Sequence, residues 1–286
     1  MGSPSLSWTT PPLAESAARP ATCTRRQSVI TEYVEWRANP LVSPERHTAV
    51  SFFDNGLALE PWAARGYSCV AYVDADAEGE CLSRRNIRVV RTRLTHVRLV
   101  EIGQRHAPGG RSDVAFACAA PPSKELSIVG ARYWKAKRKR DPQFQARVVE
   151  LIKLIHSIFE SWECIFYISG PASSRLGTLW RHADYKYQPY DFGNHLPAHD
   201  VHPLYPEIIP ARDAYSQRQG LWTSSRFSMP MLKPVTPTWK HVLSKRRSGT
   251  RLQRVSPVFA HRSAHTARAC TPRGFARALC QRLVGE

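Results

Sequence analysis

The segment Phe52-Phe-Asp-Asn-Gly-Leu-Ala-Leu-Glu-Pro-Trp62 has the residue types of a ligand-holding turn. Asn55-Gly56 closes an apolar run, and Asp74 ends the next apolar run at about the twenty-residue spacing of dinucleotide-type sites. A turn glycine lets backbone come close to a ligand, a helix start is electropositive, and an acid at the end of the second strand accepts both hydroxyls of a ribose. Asn-Gly turns between strand and helix are common, so the neighbouring segments decide what this one means. Other groupings are less specific. His195, His199 and His202 have a spacing that imitates a metal cluster, but Pro197 prevents a regular helical face, and no metal is expected. Trp134, Trp180 and Trp222 have faces that can stack on an extruded base, with core packing as the competing reading. Arg132, Arg175 and Arg181 can touch phosphate, or be solvated or paired locally.

The elements that must position these groups read as alternating strands and helices. The run Thr48–Asp54 is expected as a buried strand, Leu57–Ala64 as a helix and Tyr67–Asp74 as a second strand, which makes one βαβ unit of a doubly wound sheet. Further strands are expected at Ile87–Val90, Asp113–Ala119 and Cys164–Ile168. A helix from about Pro142 to Ser161 places Phe144, Val148, Leu151, Ile155 and Ile158 on one face. Beyond Gly170 the many prolines predict a loop-rich lobe.

With 286 residues the chain is long enough for one large domain. It contains no run of about 18 apolar residues, so no membrane span is expected. The first residues are rich in Ser, Pro and Ala and lack the apolar stretch of a secretory signal; residues 1–46 are expected to be a disordered leader. Seven cysteines form no CxxC pair, which predicts reduced thiols in a cytoplasmic protein. The net charge is +18, and its placement matters more than its size: between Asp213 and Glu286 there are fourteen Lys and Arg and no acid. Such a field attracts phosphates and releases counterions on meeting nucleic acid, and DNA is the expected partner.

Three segments carry a resemblance. The Phe52–Trp62 turn is similar to FD-x-TG-x-A-x-x-PW, one residue shorter here; Pro121-Pro-Ser-Lys-Glu-Leu-Ser-Ile-Val-Gly-Ala-Arg-Tyr-Trp134 is similar to PPC-T-H-L-A-V-S-GAR-W; and Tyr167–Tyr187 is similar to ENP-x-S-x-L-x-x-x-WR-x-PDY. Short matches continue in the same order at Pro189–Gly193, Asp200–Glu207, Pro210–Tyr215, Gln217–Thr223 and Thr271–Ala278. Together they resemble a phage and prophage family of DNA cytosine methyltransferase-like proteins.

The resemblance implies an α/β, Rossmann-like S-adenosylmethionine-dependent methyltransferase fold over residues 47–286, with a basic C-terminal lobe at about 188–270 and a closing segment at 271–286. It implies S-adenosyl-L-methionine as cofactor, held by Phe53, Asp54, Gly56, Asp74 and Pro121, and DNA contacts from Arg175, Arg181 and Arg218. In the family a cysteine after the two prolines attacks carbon 6 of a flipped cytosine, and a glutamate holds the base at ring nitrogen 3. Ser123 stands at the cysteine position, Ser169 and Gly170 stand at the Glu-Asn positions, and Arg132 keeps the GAR arginine. A serine hydroxyl is a far poorer nucleophile than a thiolate, and neither Ser169 nor Gly170 supplies a carboxyl group. Cys118, five residues before Ser123, reads as a buried strand cysteine. The implied function is therefore a methyltransferase-like protein impaired or inactive in carbon-5 methylation; the alternative is a catalytically inactive DNA-binding protein that keeps the fold.

Overall fold

The computed structural model describes residues 45–77, 81–82, 86–246, 249–260 and 265–285. Five parallel strands, β1 (Thr48–Phe52), β2 (Ser68–Asp74), β3 (Ile87–Thr92), β4 (Val114–Ala119) and β5 (Ile165–Pro171), lie side by side in the order β3-β2-β1-β4-β5. Every residue of β1 and β4 is buried, as expected of predominantly apolar parallel strands covered on both faces. β6 (Tyr185–Tyr187) and β7 (Gln219–Thr223) extend the sheet as β5-β7-β6, with β7 antiparallel to both neighbours. A separate two-stranded ribbon is formed by β8 (Lys240–Arg246) and β9 (Gly249–Val255).

The described helices are α1 (Glu60–Ala63), α2 (His96–Arg105), α3 (Trp134–Arg140), α4 (Phe144–Ser161), α5 (Leu176–Leu179), α6 (Pro257–Ala260), α7 (His265–Ala269) and α8 (Arg273–Val284). They cover the sheet on two sides. On one, Trp62 of α1 stacks on Phe116 with ring centres 4.5 Å apart, and Phe275 and Leu279 of α8 complete the layer. On the other, α2 and α4 bury Leu99, Ile155 and Phe159 against Phe52 and Tyr72. Strand order reverses between β1 and β4, so the crevice beyond their carboxyl ends is the topological switch point where open α/β sheets bind ligands. Among the described residues, no helix is long and apolar enough to cross a membrane.

Several expectations shift. The leader falls outside the described residues up to position 44, but Arg46 belongs to the domain: its guanidinium donates to the carbonyls of Val114, Trp162 and Glu163. Helix α4 begins at Phe144, and its buried stripe runs through Val149, Ile152, Ile155 and Phe159, leaving Val148 and Leu151 half-buried. The aromatic cluster of Phe52, Phe159 and Trp162 sets this rotation. The stretch expected as a loop-rich lobe sends β7 into the central sheet, because Leu221 and Trp222 need burial on its two faces. The six described cysteines are unpaired thiols.

Candidate functional site

The chain leaves β1 through Phe53, which has φ 57° and donates its amide to the carbonyl of Tyr72 (2.9 Å). Asp54 follows, fully enclosed. Its Oδ2 accepts the amides of Gly56 (2.8 Å) and Ala58 (3.3 Å), and its Oδ1 accepts the Thr271 hydroxyl (2.8 Å). Burial raises the carboxyl above its ordinary pKa, and these three donors oppose that shift. Asp54 was expected from the sequence as a cofactor ligand, and its carboxylate is occupied here by the turn's own donors. The Asn55 amide donates to the Cys270 thiol (3.0 Å), so the segment before α8 clasps the turn at two points.

Gly56 has φ 92°, a left-handed conformation that favours glycine. A Cβ there would meet the carbonyl oxygen of Leu82 at 3.5 Å and Cγ2 of Ile87 at 3.7 Å. Leu82 is buried and donates its amide to the Asn55 carbonyl (2.8 Å), so it roofs the glycine. Asp74 ends β2 as expected, half-buried. Its two oxygens accept the amides of Asp76 and Leu94, both at 3.0 Å, and each keeps lone-pair capacity for a further donor. For an adenosyl cofactor the fit is divided. Asp74 has the position and the acceptors for a ribose, whereas the Gly56 turn is lined on one side by Leu82.

The loop after β4 starts at the switch point, where the Ala120 amide donates to the Phe52 carbonyl (3.0 Å) and Pro121 is buried. Ser123 lies in a tight turn, half-buried, with its carbonyl accepting the amides of Leu126 and Ser127 (both 3.0 Å). This loop is knitted to the one after β5: Ser127 bridges Ser174, Ile128 donates to the Ser173 carbonyl (3.2 Å) and Arg175 to the Leu126 carbonyl (2.9 Å). Ser169 donates its hydroxyl to the carbonyl of Ala119 (3.3 Å). The sheet thus gathers Ser123, Ser169 and Gly170 at the carboxyl ends of neighbouring strands. Cys118 is enclosed, and burial pushes its thiol well above the ordinary range, which leaves it inert.

The arginines divide. Arg132 is exposed, its guanidinium 4.7 Å from the ring centre of Tyr133, and Arg218 is exposed where β7 starts, beside the end of β5. Arg175 is engaged internally, donating to Gln145 Oε1 (3.2 Å) and lying over Trp134, while Gln145 donates to the Glu125 carbonyl (2.9 Å). Arg181 pairs with Asp184 (3.2 Å) and donates to the Thr223 carbonyl (3.3 Å) at the amino-terminal edge of the sheet. The expected phosphate contact at Arg181 gives way to this ion pair, on the edge opposite the switch point. Two clefts of about 540 and 760 Å³ also open at that opposite edge, one at Arg181 and His156, the other at Tyr67 and Arg88. The histidines do not converge: His195 meets Gln281 and the Met231 carbonyl, His202 is buried with its ring nitrogen accepting the amides of Leu204 and Tyr205, and His199 is exposed. Among the described residues no group of three metal-ligating side chains gathers.

Sequence reasoning missed Thr271, Leu82 and Asp213. Asp213 is buried and accepts the amide of Gly274 (2.9 Å) at the start of α8, which complements the positive end of that helix. Gly274 is required there, since a Cβ would lie 2.6 Å from the Phe192 carbonyl oxygen. Arg273 reaches Asp200 at 2.8 Å and Glu60 at 3.6 Å, tying α8 to α1. Only Thr271 carried a signal, at the head of the last matching segment. Compared with known proteins, the chain matches no protein-family model and no curated protein.

Proposed function

We propose that this protein is a degenerate S-adenosylmethionine-dependent DNA cytosine methyltransferase-like protein, with little or no carbon-5 methylation activity. One observation carries the reading. The mostly parallel sheet, with its switch point between β1 and β4 and the antiparallel β7 beside β5, is compatible with the Rossmann-like fold that the sequence resemblance implies. The two loops that would carry nucleophile and base clamp leave adjacent strands at its carboxyl edge. Bound cofactor would supply the methyl group. Asp74 would hold its ribose and Pro121 would border it, and Arg132 and Arg218 would meet phosphate. Trp134 supports a ligand near the joined loops: its indole N–H is buried without a partner among the described residues, a state that costs about 1–3 kcal/mol until an acceptor arrives.

Ser123 and Ser169 explain the expected loss of chemistry. Ser123 has no general base bonded to it among the described residues, and the Ser169 hydroxyl donates to a main-chain carbonyl, so neither supplies the thiolate or the carboxyl group. A second reading, an inactive DNA-binding protein without cofactor, is favoured by Leu82 closing the Gly56 turn. Incubation with radiolabelled S-adenosylmethionine and mixed DNA, followed by nucleoside analysis, tests the proposal beside calorimetric titration of the cofactor. The expected result is cofactor binding with little or no 5-methylcytosine, and a gain of product for the triple variant Ser123→Cys, Ser169→Glu, Gly170→Asn. Equal methylation by the natural chain and the triple variant would overturn the impaired-catalyst reading. Absence of cofactor binding with DNA affinity intact would select the second.

A further inference from the structure

The ribbon of β8 and β9 has no evident reason to be ordered alone. Lys240, His241, Val242 and Leu243 are exposed on one strand and Leu252, Gln253 and Arg254 on the other, so the described side chains meet solvent on both faces. Among the described residues it pairs with no strand of the central sheet. A two-stranded hairpin without a covered face is marginal in water, and such an element is usually completed by what it binds.

Its chemistry selects the occupant. Leu243 and Leu252 are cross-strand partners, 69% and 59% exposed, and the neighbouring pair on that face is His241 with Arg254. Arg254 is held in place by the ring of Trp239, 4.4 Å from its guanidinium carbon. The two strands carry five Lys and Arg, within the long segment that has no acid. A second copy of so cationic a ribbon would be repelled, and one leucine pair is too small an apolar face for a bilayer. A duplex fits on each count. The major groove, about 12 Å wide, admits a two-stranded ribbon, its phosphates take lysine and arginine, and apolar side chains contact thymine methyl groups.

We propose that the β8–β9 ribbon inserts into the major groove of duplex DNA, with Leu243 and Leu252 against base edges and Lys240 and Arg254 on phosphate. This deepens the DNA-binding reading above and rests on it. The test uses the full chain and a labelled random-sequence duplex, with anisotropy titrations across salt. Lys240→Ala with Arg254→Ala should lower the logarithmic salt slope by about 1–2 and weaken binding about tenfold, while Arg254→Lys retains the slope. Replacing thymine by uracil in the duplex should weaken the natural chain and leave Leu243→Ser, Leu252→Ser unaffected, and the thymine dependence of the natural chain is a readout that no misfolding of a variant can produce. Unchanged thermal unfolding of the variants is expected, since the ribbon lies outside the central sheet. If the natural chain binds duplex and all variants match it, the ribbon proposal alone is overturned. If the natural chain binds no duplex, the DNA reading falls with it. Loss of self-association, or of binding to anionic phospholipid vesicles, in the variants with duplex affinity unchanged would assign the ribbon to a second copy or a membrane and overturn the proposal.

Discussion

The turn after β1 and the loop after β4 meet at the same switch point, yet they are built in opposite ways. In the first, Asp54 takes three donors, Asn55 binds Cys270, and Leu82 covers Gly56. In the second, Ser123 is half-buried, Arg132 is exposed and the Trp134 indole N–H has no partner among the described residues. The contrast teaches that residue types expected to hold a ligand can be consumed by the fold when burial is complete. Groups that remain free for function are those the backbone has already left unsatisfied.

Breaking the first region should produce the largest effect. Asp54→Ala strands the Gly56 and Ala58 amides and the Thr271 hydroxyl in a dry interior, and urea unfolding should show a loss of about 3–5 kcal/mol. A loss below about 1 kcal/mol would mean that the clasp is not a structural device. Leu82→Ala should cost about 2–4 kcal/mol while tightening S-adenosylmethionine, about tenfold by calorimetry, because the roof over Gly56 is removed. Unchanged or weaker cofactor binding would show that Leu82 is no barrier.

Asp213 sharpens the comparison through pH. Burial pushes its carboxyl up to about 6 from an ordinary 3.8, so the folded state holds the proton more tightly than the unfolded chain. The associated stability is present in full below the unfolded value and is lost as pH rises through about 6. Asp213→Asn retains an acceptor for the Gly274 amide and escapes ionisation. Its stability relative to the natural chain should therefore grow by about 2 kcal/mol between about pH 4 and about pH 7, then level off. A difference that is flat with pH would place the titration elsewhere.

The smallest effect is expected in the second region. Arg132→Ala should change stability by less than about 0.5 kcal/mol, since the side chain is exposed, but weaken DNA binding several-fold and reduce the salt slope by about 0.9. Arg181→Ala should do the reverse, because that arginine is paired with Asp184 on the opposite edge. Equal loss of DNA affinity in both variants would erase the division of arginines drawn above.

Much of the fold was legible because it rests on local pattern. Apolar runs at Thr48–Phe52 and Val114–Ala119 cannot be exposed, and their spacing from intervening helices favours parallel pairing. Helix α2 was missed although Thr95 caps it and Leu99 and Ile102 repeat at helical spacing; its many polar residues hid the stripe. β7 was missed as a central strand because it is five residues long and lies amid prolines, and its antiparallel place between β5 and β6 depends on partners far away in sequence.

For the candidate site, the sequence by itself determined the residue types: Ser123 and Ser169 where the resembled family uses cysteine and glutamate, Asp74 at a strand end, and an acid-free basic stretch. These are chemical identities, independent of conformation. Tertiary structure alone decided that Asp54 belongs to Thr271 across 217 positions, that Leu82 closes Gly56, that Arg181 faces the wrong edge, and that the basic stretch presents a free ribbon. The physical reason is that a polar group's role depends on which donors and acceptors reach it after burial, and those partners are brought together by the packing of the whole sheet.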